Sequence, residues 1–117
     1  MQQNGVIISR IEDIKGEEKE PGLIVKLLAT GENVSLSLLQ AEPGKCFEVH
    51  DHDEEELCYI PQGRGIFTVE NETHEIVAPV AIKIPPNIRH GLLVTGTEIL
   101  LKLNAHSPPR TKALKKK

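Results

Sequence analysis

Two histidines stand one residue apart in the run His50-Asp51-His52, and Glu56 follows four residues later. Side chains alternate faces along an extended strand, so His50 and His52 point the same way. Glu56 shares their parity and opens a second extended run, Glu56–Ile60, with the polar Asp53-Glu54-Glu55 between them as a turn or bulge. Two imidazoles and a carboxylate can therefore converge from adjoining strands. That donor set matches the facial triad that holds non-haem Fe(II), with positions left open for substrate or oxygen. The competing reading is a pair of surface histidines in an acidic loop, with Glu56 one more solvated charge beside Glu54 and Glu55.

His90 is a fourth candidate. It follows Ile84-Pro85-Pro86-Asn87 and begins the run His90-Gly91-Leu92-Leu93-Val94. Proline cannot donate a ladder hydrogen bond, so the pair marks a strand start or an edge. Three neutral imidazoles and one carboxylate neutralise half the charge of a divalent ion. They suit Fe, Mn, Ni, Co or Zn, and the donor set does not choose among these.

Other residues carry less. Glu48 has the parity of His50 and is expected at the rim or facing inward, where it would be a candidate for proton transfer. Tyr59 is a second catalytic candidate, although its parity is opposite to that of Glu56. Cys58 shares the parity of Glu56 and is expected inside as a small buried hydrophobe. His74, beside a turn, and His106, before a proline pair, are expected to be exposed. Arg89, next to His90, reads as a solvated charge, with attraction of an anionic substrate as the alternative.

The elements that must position these groups are short. Val6–Ser9, Leu23–Ala29, Val34–Ala41, Cys46–Val49, Glu56–Ile60, Gly65–Glu70, Thr73–Val77, Ala81–Ile84, Gly91–Val94 and Ile99–Leu103 read as strands, most of them bounded by Gly, Pro or Asn. Glu70-Asn71-Glu72-Thr73 reads as a hairpin turn in which Asn71 tolerates the positive φ. Thr95-Gly96-Thr97 reads as a second tight connection. Arg10–Glu20 is the nearest thing to a helix, but Gly16 and Pro21 break it, and a loop or one helical turn is expected. His106 to Lys117 reads as a tail. Many short strands with almost no helix indicate an all-β sandwich or barrel.

Bulk properties narrow the function classes. The chain has 117 residues, about one domain's worth. Its aromatics are only Phe47, Phe67 and Tyr59, so the core must be built from Val, Ile and Leu, which suits strands. A net charge of −3 asks for no nucleic acid, and the lysines at 112 and 115–117 read as a solvated tail. No secretory signal is visible and no apolar run approaches a membrane span, so a cytoplasmic location with no membrane partner is expected. Cys46 and Cys58 would then be free thiols.

The motif carries a resemblance. Gly44, five residues, His50-x-His52, three residues, Glu56, six residues and Gly63 resemble the first cupin motif at every signature position. Pro85, Asn87 and His90 resemble the core of the second motif, with Asn87 where glycine is usual. Asn can adopt the same left-handed backbone. Pro79 and Val94 depart from that motif's opening Gly and closing Asn. The resemblance covers roughly Val34 to Leu103. It implies a double-stranded β-helix, or jelly-roll barrel, as a single domain over residues 1–117 with its core at about 22–104. It implies a metal inside the barrel held by His50, His52, Glu56 and His90, and a homodimer.

Three function classes are consistent with such a chain. One is a metal-dependent enzyme on a small organic substrate, of dioxygenase, isomerase or decarboxylase type. Another is a non-catalytic barrel that binds or senses a small molecule. The third is a metal-free structural role. A fold of this kind does not choose among them.

Overall fold

The structure is a computed structural model, and it describes residues 4–110. Ten strands follow one 3-10 turn, Ile11–Asp13. They are β1 (Glu17–Glu20), β2 (Leu23–Thr30), β3 (Ser35–Ala41), β4 (Cys46–His50) and β5 (Glu55–Gln62). β6 (Arg64–Val69), β7 (Glu72–Val77), β8 (Val80–Ile84), β9 (His90–Thr95) and β10 (Leu100–Ser107) complete the set. A six-stranded sheet in the order β1-β2-β3-β10-β5-β8 faces a four-stranded sheet in the order β4-β9-β6-β7, and every pair is antiparallel. This is the all-β, jelly-roll architecture. No helix among the described residues is long and apolar enough to cross a membrane.

Alternation builds the core. On β5, Glu56, Cys58 and Ile60 are buried while Leu57 and Tyr59 stand about half exposed. Val25, Leu39, Ile60, Phe67, Ile84, Leu92, Val94 and Leu100 fill the space between the sheets. Aliphatic side chains dominate because the sequence offers few aromatics, and each such burial stabilises by about 1.5–3 kcal/mol.

Several expectations need correction. Val6–Ser9 forms no strand, because no neighbouring strand takes up its backbone. Within the break-prone Arg10–Glu20 segment, the single turn is followed by a strand, β1, that pairs with β2. At the β6–β7 hairpin the positive φ falls on Glu70 (53°) rather than Asn71. Asn87 does take the left-handed conformation, at φ 66°. β10 does not stop at Leu103 but runs to Ser107, paired on both sides by β3 and β5, so His106 is not part of a tail. The terminal lysines at 112 and 115–117 lie outside the described residues.

Candidate metal centre

β4 and β9 bring the first and second motifs together. Phe47 pairs with Leu92, and His50 pairs with His90, so Glu48 and Val49 on β4 oppose the single Gly91 on β9. This bulge resets the alternation. Phe47 and His50 both line the interior cavity, and Glu48 between them is exposed. Gly91 permits the close approach: a Cβ there would lie 2.8 Å from the Phe47 carbonyl oxygen and 3.0 Å from the Val49 nitrogen. His52 sits in the loop after β4, and its carbonyl accepts from the Asn87 N–H at 2.7 Å, tying that loop to the left-handed turn before β9.

His50, His52 and His90 bring their ligand nitrogens within 4.8 Å of one another, and His52, Glu56 and His106 form a second set that shares His52. The ring centroids of the first set are 4.6–5.5 Å apart. Each of these three rings is held from behind. Nδ1 of His50 donates to the Glu48 carbonyl at 2.9 Å, that of His52 to Glu54 at 3.1 Å and that of His90 to Ile88 at 2.8 Å. A carbonyl only accepts, so each Nδ1 carries a proton, and in the neutral ring Nε2 is left with a lone pair. Backbone carbonyls behind metal-ligating histidines play this same part.

Glu56 lies at the junction of the two sets and is buried. Its Oε1 is 3.1 Å from His52 Nε2, 3.2 Å from His106 Nε2 and 3.7 Å from His90 Nε2. Its Oε2 accepts from Lys102 Nζ at 2.8 Å and from the Cys58 thiol at 2.9 Å. Burial alone would raise this carboxyl's pKa. The hydrogen bond from His106 and the charge of Lys102 oppose this and hold the group below the usual carboxylate range. Burial is also the main influence on His50, lowering its pKa and favouring the neutral imidazole.

Such a donor set fits a divalent ion. Three lone-pair nitrogens within 4.8 Å of one another, with a carboxylate oxygen 3.1 Å from one of them, are mutually unfavourable unless a cation or added protons lie among them. Nitrogen and carboxylate donors of this kind suit Fe, Mn, Co, Ni or Zn.

The cluster lines one part of a cavity of about 230 Å³. Leu23, Val25, Leu39, Phe47, Phe67 and Leu92 supply its apolar wall. Tyr59, like Glu48, is absent from the lining: it stands on the outer face of β5 at 48% exposure. Arg110 lines the cavity and donates to Glu54 at 3.0 Å, and Glu54 in turn lies 3.3 Å from His52 Nδ1.

Sequence reasoning missed His106 and Lys102. Both are buried, at 6% and 9% exposure, where His106 was expected to be exposed. The reason is β10. Its inward positions are Leu100, Lys102, Asn104 and His106, so the strand presents mostly polar groups to the interior. His106 faces Glu56 directly across the β5–β10 ladder. The signal that finds them is the parity they share with Leu100, which is fully buried.

Comparison with known proteins agrees with this architecture. The cupin domain family profile matches residues 37–105, and the chain belongs to the cupin family. No curated protein matches the chain by sequence. Among solved structures it is similar to KdgF from Halomonas sp., with a TM-score of 0.80 and 20% identity over 89% of this chain and 94% of that one. It is similar to a predicted oxalate decarboxylase from Thermotoga maritima, with a TM-score of 0.78 and 19% identity over 86% and 98%. It is also similar to the polyketide cyclase RemF from Streptomyces resistomycificus, with a TM-score of 0.70 and 24% identity over 87% and 80%. At these identities the likeness speaks for the fold.

Proposed function

We propose that this cupin is a divalent-metal-dependent enzyme acting on a small organic molecule. His50, His52 and His90 with Glu56 would hold the ion. The observation that carries the reading is the set of three imidazoles, each anchored through Nδ1 to a backbone carbonyl, converging at the wall of an apolar cavity. A metal bound there supplies either Lewis-acid polarisation of a substrate oxygen or, with a redox ion, oxygen chemistry. The chain's own residues do the rest. The wall of Leu and Phe side chains takes up the apolar body of the substrate and excludes water. His106, in contact with the Glu56 carboxylate within the site, is the group placed to hold a proton. Two of the similar structures are described as a predicted oxalate decarboxylase and a polyketide cyclase, which is consistent with small-molecule chemistry on this scaffold.

A second reading is a barrel that binds or senses its ligand without turnover. It is favoured by the fact that Glu56 is the only carboxylate among the described residues lining the cavity. Turnover separates the two. Protein reconstituted with each of Fe, Mn, Ni, Co and Zn would be incubated with small enols, catechols and 2-oxo acids, following oxygen uptake and product mass. Metal-dependent product in the wild type, lost in His90→Ala, supports the enzyme. Saturable binding of the same compounds with no product for any metal supports the binder.

A further inference from the structure

Lys102 sits at an unusual place for an ammonium group, in the interior of the barrel. Its Nζ donates to Glu56 Oε2 at 2.8 Å and to Asn104 Oδ1 at 2.6 Å. Both partners are acceptors, so the contacts call for a proton-bearing nitrogen. The same Oε2 also accepts from the Cys58 thiol. One carboxylate oxygen is thus taken up by two donors, and only Oε1 faces the histidines.

Two consequences follow. A carboxylate held in this way offers one oxygen to an ion rather than two, which leaves a coordination position free. Its charge is also already balanced by the lysine. Glu54, whose carboxylate lies 3.3 Å from His52 Nδ1, is balanced by Arg110. With neutral imidazoles as the other donors, the surroundings cancel none of an ion's double charge. A dipositive centre facing an apolar wall favours an anionic ligand, since the low local dielectric strengthens the attraction.

We infer that Lys102 is a positioning and specificity-determining residue: it confines Glu56 to one oxygen and cancels its charge, so that the loaded site selects an anionic oxygen- or nitrogen-donor ligand over a neutral one. The assignment rests on the metal-binding reading above and deepens it by naming the ligand's charge class. Lys102 acts through Glu56, to which its Nζ donates.

The test uses the full chain loaded with Co(II), whose visible bands report ligand binding, with azide as the anionic probe and imidazole as the neutral one. Lys102→Gln keeps a hydrogen-bond donor to Glu56 and removes the charge, and Lys102→Arg restores the charge. Cobalt content is measured first on the same samples. The expected result is that Lys102→Gln loads cobalt, binds azide more weakly than the wild type by about tenfold or more, and binds imidazole unchanged. Lys102→Arg should recover the azide affinity. Equal azide affinity in the wild type and Lys102→Gln, or parallel loss of azide and imidazole, would overturn the role of Lys102 while leaving the metal site standing. A wild type that takes up no cobalt would overturn both.

Discussion

His106 lies directly opposite Glu56 in the β5–β10 ladder, and its Nε2 is 3.2 Å from the carboxylate Oε1. The last strand of the barrel therefore reaches the same carboxylate that the first motif supplies. His106→Ala should weaken metal binding by about 10–100-fold, the range found when partners that orient metal ligands are removed. His74→Ala, which alters an exposed residue paired with Glu72, should leave affinity unchanged. Competitive metal titration against a chromophoric chelator checks both, and equal affinity in His106→Ala and the wild type would remove His106 from the site.

How much of this could be read in the chain depended on sequence distance. His50, His52, Glu56 and Gly63 fall within twenty residues, so period-two alternation and glycine spacing made them visible together. His90 was visible through the Pro85–Asn87 turn. The inward alternative for Glu48 fails because the bulge opposite Gly91 is a tertiary feature, set by how closely β4 and β9 approach. Lys102 and His106 were hidden because a polar alternation ordinarily marks a solvent face, and only the pairing of β10 between β3 and β5 turns that face inward.

The two cysteines should differ sharply in reactivity. Cys46 is exposed and Cys58 is buried. Burial, reinforced by the neighbouring Glu56, pushes the Cys58 thiol up to about 12, against the attraction of Lys102. The thiolate is the reactive form, so at neutral pH iodoacetamide should label Cys46 alone. Intact-mass and peptide spectra should show one adduct on the native protein and two after denaturation. Two adducts at similar rates on native protein would contradict the buried donor role of Cys58.

Gly91→Ala should destabilise the barrel. The added methyl would meet the Phe47 carbonyl at 2.8 Å and backbone atoms of Val49 at 3.0–3.1 Å, and backbone cannot move aside as a flexible side chain can. A cost of about 1–3 kcal/mol is expected from forced overpacking. Urea unfolding followed by circular dichroism checks it. An unchanged midpoint would mean that β4 and β9 are not held as closely as described.

The pH dependence of the apo protein follows from Glu56. Its folded pKa lies below the ordinary 4.5. The stability it contributes is therefore fully present above 4.5 and is lost as pH falls toward the folded value, because the unfolded chain takes up the proton first. Urea midpoints should decline below this pH in the wild type and decline less steeply in Glu56→Gln. Identical acid limbs in the two proteins would show that the carboxylate is not held ionised by its neighbours.

The most direct test of the metal site is metal content. Untagged wild-type protein, purified without chelator and reconstituted where needed, would be assayed by inductively coupled plasma mass spectrometry beside His50→Ala and His74→Ala. The site described here predicts close to one divalent transition-metal ion per chain in the wild type and in His74→Ala, with most of it lost from His50→Ala. No bound metal in any of the three, or equal metal in all three, would contradict it.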